Sequence, residues 1–116
     1  GAGLGDRFLG HVERCAALIH LVDGTQEDPV AAYRTIRKEL RSYGHGLARK
    51  PEIVCLSKTD AVDEADLDAR RRTLAKACRR KVYPVSAASH QGLEPILRAA
   101  HALVLARRAE AAAPAA

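Results

Sequence analysis

With 116 residues, 47% of them hydrophobic and 28% charged, the chain has the length and composition of one small folded domain, which excludes a disordered polymer and makes two domains within it a stretch. No apolar run approaches the roughly 20 residues that cross a bilayer, and GAGLGDRF lacks the basic and apolar regions of a secretory signal, so the cytoplasm is the expected compartment. The net charge of +5 admits an acidic partner such as RNA, but one Phe, three Tyr and no Trp offer little to stack on unpaired bases.

Leu4, Phe8, Val12 and Cys15 recur every three or four residues and predict a short opening helix. Ala16 to Val22 is an apolar run broken only by His20, the pattern of a strand covered on both faces, and Asp23-Gly24-Thr25 closes it. Asp28 as a cap, Pro29 in the first turn and Gly44 as a stop bracket the next helix, whose inward stripe is Val30, Tyr33, Ile36, Leu40 and Tyr43. A linker holding Gly46 and Pro51 leads to the strand Ile53-Val54-Cys55-Leu56. Asp63 opens a helix carrying Leu67, Leu74 and Cys78. Lys81 to Val85 makes a third strand, in which Pro84 marks a sheet edge or an amide turned away from the ladder. The last helix starts near Leu93, with Ile96, Leu97, Ala100, Leu103 and Val104 on one side, and residues 109–116 read as a disordered Ala-rich tail. Strands alternating with helices call for an α/β fold: a three-layer αβα arrangement on a parallel sheet.

Cys15, Cys55 and Cys78 are odd in number and far apart, which predicts buried, reduced thiols rather than a disulfide framework or a zinc site. The five histidines are scattered, with no pair at helical ligand spacing, so no metal site is expected. Arg70-Arg71-Arg72 and Arg79-Arg80-Lys81 fall on a helix and its end, where a solvated face is a simpler reading than a phosphate-contacting patch.

In open α/β sheets, ligands bind outside the carboxyl ends of the strands. All three strands here end in polar residues: Asp23-Gly24-Thr25, Ser57-Lys58-Thr59-Asp60 and Ser86-Ala87-Ala88-Ser89. Any one alone is an ordinary turn, and Asp23 alone an ordinary cap, but three in register point to a ligand. The Asp60 carboxylate has two acceptor oxygens and no donor, which matches the N1-H and N2-H2 donors side by side on guanine; adenine has no such pair. The apolar stem of Lys58 can lie over a base plane while its ammonium stays free for an oxygen. The amide after Ser86 can donate to guanine O6, with Gly92 letting the loop close.

These residues resemble known motifs. Ser57-Lys58-Thr59-Asp60 resembles the N-K-x-D motif of P-loop GTPases, and Ser86-Ala87-Ala88 their S-A-x motif. GAGLGDRFLGHVERCAALIHLVDGT, KPEIVCLSKTD and VSAASHQGLEPIL together resemble the Obg family of ribosome-associated GTPases, over nearly the whole chain up to about Arg107. The resemblance implies that residues 1–108 are the carboxyl-terminal portion of a GTP-binding domain. Ser57, Lys58, Asp60, Ser86, Ala87 and Ala88 would then bind guanine: Lys58 and Asp60 hold the base, Ser86 braces the loop and the Ala87 amide meets O6. Ser57 stands where the family usually has Asn, which implies weaker but still guanine-selective binding.

GAGLG is not a phosphate loop, because G-x-x-x-x-G-K-[ST] occurs nowhere in the chain and no strand precedes these glycines. By resemblance it is the end of the mobile segment after the family's D-x-x-G motif, with the phosphate loop and magnesium ligands lying before Gly1. The resemblance therefore implies GTP or GDP as ligand, magnesium only in the full-length parent, no catalytic residue in this chain, and a parent that hydrolyses GTP and acts in large ribosomal subunit assembly through rRNA. Self-association through an open sheet edge is a further expectation. The rival reading is a non-catalytic RNA- or ribosome-docking module using the Arg-rich helix. A phosphoacceptor role for Asp23 lacks a neighbouring acidic pair, and no serine or cysteine nucleophile arrangement is visible.

Overall fold

The computed structural model describes residues 5–112. The elements run α1 (Asp6–Val12), β1 (Leu18–Asp23), α2 (Pro29–Tyr43), β2 (Glu52–Ser57), α3 (Glu64–Cys78), β3 (Val82–Pro84) and α4 (Leu93–Ala112), with short 3-10 turns at Leu47–Arg49 and Thr59–Ala61. The three strands form one parallel sheet in the order β1-β2-β3, as the alternation of strand and helix predicts. The fold is α/β, with helices on both faces of the sheet.

The central strand sets the layers, because alternate side chains point to opposite faces. Val54 and Leu56 of β2 join Val22, Val82, Tyr33 and Leu74 in a core between the sheet and helices α2 and α3. Ile53 and Cys55 point the other way and meet Val85 and Ile96, with Ala99, Ala100 and Leu103 of α4 packed alongside. A smaller cluster of Leu9, Val12, Leu40 and Leu47 fastens α1 to α2. The Asp28 carboxylate accepts the Ala31 amide at 3.0 Å and caps α2.

Several expectations are corrected. β1 begins at Leu18 and is not covered on both faces: Ile19 and Leu21 are 47% and 60% exposed, because α4 lies over β2 and β3. α1 ends at Val12, Phe8 is 51% exposed, and Cys15 lies past the helix and is exposed rather than buried; Leu4 falls outside the described residues. Leu97 points to solvent, and Ala99 takes its place on the inner side of α4. α4 continues through Ala112 into the stretch read as a tail, and residues 113–116 fall outside the described residues. β3 is three residues long and lies at a sheet edge, which suits Pro84.

The sequence reading gave Glu52 no role, yet it is the buried charge that fastens α2 to the sheet. It is 5% exposed and its carboxylate accepts from His20 Nδ1 (3.3 Å), Tyr33 OH (3.3 Å) and Arg37 Nη1 (3.4 Å). The Arg37 guanidinium also donates to the Ala48 carbonyl at 2.8 Å, and the His20 ring stacks on Tyr33. Burial pushes the Glu52 carboxyl up, but the His20 hydrogen bond and the Arg37 and Arg80 charges outweigh it and hold the group below its usual value. A carboxyl lowered by folding lends stability above its unfolded titration range, and that stability is lost as pH falls through the folded value. Glu52→Ala leaves the buried Tyr33 hydroxyl and the partly buried His20 and Arg37 side chains without this acceptor. It is expected to lose about 3–5 kcal/mol in urea unfolding at neutral pH, and the loss shrinks as the parental protein is acidified.

Candidate guanine-binding rim

The two strand pairings bring the predicted motifs to one end of the sheet. Asp23 at the end of β1 pairs with Ser57 at the end of β2, and Leu56 pairs with Pro84 of β3, so all three polar loops leave from the same rim. Gly24 follows β1 so closely against β2 that its amide donates to the Ser57 carbonyl at 2.9 Å; an added Cβ would stand 2.5 Å from that oxygen.

Beyond Ser57 the chain turns sharply. Lys58 adopts the left-handed conformation (φ 58°, ψ 37°), a state that costs a non-glycine residue roughly 1 kcal/mol and is common at binding sites. The turn lets the Thr59 amide donate to the Val85 carbonyl at 3.3 Å, which binds the second loop to the third. The Ser57 hydroxyl donates to the Val22 carbonyl at 3.3 Å and so serves the joint with β1.

Asp60 and Ser86 meet directly. The Ser86 hydroxyl, fully buried, donates to Asp60 Oδ1 at 2.7 Å and accepts the Ser89 amide at 3.1 Å. Ser86 and Gln91 exchange backbone hydrogen bonds of 2.9 and 3.1 Å, which closes the third loop on itself. Gly92 makes that closure: its φ is +79°, and a Cβ there would overlap the Pro84 carbonyl oxygen. Lys58, Asp60, Ala87 and Ala88 remain exposed around the buried serine. Of the six predicted residues, Ser57, Lys58, Asp60 and Ser86 are joined by hydrogen bonds to the rim or to each other, and Ala87 and Ala88 form its outer turn.

One detail differs from expectation. The Lys58 ammonium is not free: it pairs with Asp23 Oδ2 at 2.9 Å, both groups being partly exposed. Asp23 Oδ1 accepts from the Thr25 hydroxyl (2.6 Å) and amide (2.9 Å). With both oxygens engaged, Asp23 is a holder of its own turn and of Lys58. Arg70, read in the sequence as part of a solvated run, donates to the Gly24 carbonyl (3.4 Å) and to that of Gln26, and so braces the same turn from α3. Arg71 and Arg72 pair with Asp68 on their own helix. Neither contact of Asp23 or Arg70 has a local sequence signal; both join residues more than 30 positions apart.

Burial raises the Cys55 thiol to about 11, so at neutral pH it is an uncharged core group. Among the described residues no group of three or more His, Cys, Asp or Glu stands together as a metal site. The rim presents an exposed carboxylate with one oxygen oriented by a buried hydroxyl, beside exposed loop residues.

The Thr25 hydroxyl bond, the Lys58 bond and the Thr25 amide together lower the Asp23 carboxyl from 3.8 to about 2. Their stabilising effect is present above the unfolded value and lost as pH falls toward 2. A side-chain carboxyl NMR titration is expected to give Asp23 a midpoint near 2, and Lys58→Ala is expected to raise it toward the ordinary aspartate range.

No protein-family model matches the chain. Over 98 residues, 84% of its length, it is 59% identical to the GTPase Obg of Acidiphilium cryptum (strain JF-5). Over 99 residues, 85% of its length, it is 52% identical to the GTPase Obg of Thermosynechococcus vestitus (strain NIES-2133 / IAM M-273 / BP-1). The chain spans only 30% of the length of each of these curated relatives. With more than half of its aligned residues shared with both, the chain belongs to the Obg GTPase family, as a segment of the longer proteins it matches.

Proposed function

We propose that this segment supplies guanine recognition to an Obg-type GTPase, with GTP and GDP as ligands. The observation that carries the reading is the Ser86 to Asp60 bond: it fixes one carboxylate oxygen from behind while the side chain stays exposed at the strand-end rim. A carboxylate held this way can accept the two adjacent donors of guanine at once. Lys58, tethered to Asp23, is the residue proposed to carry the base plane on its apolar stem. The Ala87 amide follows Ser86 and is the donor proposed for O6.

The chemistry of phosphoryl transfer belongs to other parts of the parent protein. It needs positioned phosphates, a metal ion and an oriented water, and this chain contains no G-x-x-x-x-G-K-[ST] loop to hold them. The chain alone is therefore expected to bind without turnover. The parent is proposed to hydrolyse GTP in the cytoplasm and to couple its nucleotide state to large ribosomal subunit assembly. The rival docking reading relied on Arg70, Arg71 and Arg72; these now have partners within the chain, which favours the guanine reading.

The open outer edge of β1, flanked by exposed Ile19 and Leu21, supports self-association of the isolated chain. Sedimentation velocity is expected to show larger species as concentration rises; a single monomeric boundary throughout would contradict this.

The guanine reading is tested by calorimetry with GDP and xanthosine diphosphate. Asp60→Asn replaces an acceptor with a donor at one position, which suits xanthine O2 in place of guanine N2-H2. The variant is expected to lose about 100-fold in GDP affinity, the worth of a charge-assisted bond, and to gain preference for the xanthine nucleotide. Ser57→Asn is expected to tighten GDP binding. Unchanged GDP affinity in Asp60→Asn sinks the reading.

A further inference from the structure

Of the three consecutive arginines on α3, Arg71 and Arg72 bend back to Asp68 on their own helix, while Arg70 reaches across to the turn that follows β1. Helical spacing accounts for the difference. Arg70 stands three residues after Leu67 and four before Leu74, two of the side chains that α3 packs into the core, and so shares their inward stripe. Its Nη1 donates to the Gly24 carbonyl at 3.4 Å and also to that of Gln26. Among the described residues it enters no ion pair.

The turn that Arg70 holds has little apolar packing to fix its shape. Thr25, Gln26, Glu27 and Asp28 are exposed, and β1 is an outer strand of the sheet. Hydrogen bonds do the work instead. The Gly24 amide donates to the Ser57 carbonyl at 2.9 Å, and the Gln26 amide to the Asp23 carbonyl at 3.3 Å. Asp23 Oδ1 accepts the Thr25 hydroxyl and amide, and Asp23 Oδ2 accepts the Lys58 ammonium at 2.9 Å. One line of contacts therefore runs from the fully buried Leu74, through Arg70 and the Asp23 turn, to the exposed Lys58.

We infer that Arg70 is a positioning residue for guanine recognition: by clamping the Gly24 and Gln26 carbonyls it sets the place of the Asp23 carboxylate and, through it, of the Lys58 side chain at the rim. This role rests on the guanine reading proposed above and adds to it a residue that touches no ligand. A lysine stem is flexible, and ordering one such side chain at a binding site is worth about three- to tenfold in affinity. With Arg70 in place, Lys58 is ordered by the protein; without it, the ordering falls to the ligand.

The test is calorimetry of the full chain with GDP, comparing Arg70→Ala, Arg70→Lys, Asp23→Ala, the double variant Asp23→Ala/Arg70→Ala, and Arg71→Ala, which removes the same charge one residue away. Arg70→Ala is expected to weaken GDP binding about three- to tenfold. Arg70→Lys is expected to lose less, because an ammonium can still donate to both carbonyls, and Arg71→Ala to change little. In the double variant the Arg70 change is expected to add nothing to the Asp23→Ala loss, since both act on Lys58 by one route. In the ligand-free chain, carboxyl NMR is expected to show the Asp23 midpoint moving up from about 2 in Arg70→Ala and less in Arg70→Lys. Equal GDP losses in Arg70→Ala and Arg71→Ala, additive losses in the double variant, or an unmoved Asp23 midpoint would each overturn the role of Arg70 alone. No GDP binding by the parental chain, or unchanged affinity in Asp60→Asn, overturns the guanine reading and the role of Arg70 with it.

Discussion

Everything at the rim depends on the parallel register that sets Asp23 beside Ser57 and Leu56 beside Pro84. Because successive residues in a strand face opposite ways, a slip of one position would turn Val54 and Leu56 out of one core and Ile53 and Cys55 out of the other. The two cores therefore enforce the pairing, and the pairing puts three polar loops within hydrogen-bond reach of one another. What looks like a property of the loops is a consequence of how β2 is buried on both faces.

The loops then add constraints of their own. Lys58 in the left-handed conformation turns the chain back over the sheet end, Thr59 catches the Val85 carbonyl, and Ser86 reaches Asp60 from beneath. Gly92 permits the Ser86-Gln91 closure that holds the serine in place. The result is a carboxylate whose orientation is fixed before any ligand arrives, which lowers the ordering cost of binding. At the other end of β2, Glu52 gathers His20, Tyr33 and Arg37, so the same strand anchors α2 at one end and presents the rim at the other.

Much of this was legible in the chain. Asp28, Pro29 and Gly44 bracketed α2 because caps and stops are local chemistry, and the apolar block Ile53 to Leu56 marked the central strand by its burial alone. The polar strand ends at Ser57, Lys58, Asp60 and Ser86 followed from the alternation of elements. What was not legible is tertiary. Apolarity in β1 does not reveal whether a neighbour covers it, so Ile19 and Leu21 read as buried although they are not. Glu52 carried no local signal, Arg70 looked like one more solvated cation and Lys58 like a free one, because their partners lie 15 to 46 residues away in the chain.

The central claim is that the Asp60 carboxylate reads the guanine edge. The most direct measurement is a crystal structure of the chain with GDP bound. The account predicts guanine N1 and N2 each about 2.7–3.1 Å from the Asp60 oxygens, with O6 facing the Ala87 amide and the Lys58 stem against the base. A nucleobase seated away from the rim, or an Asp60 that keeps only its bond to Ser86, would contradict it.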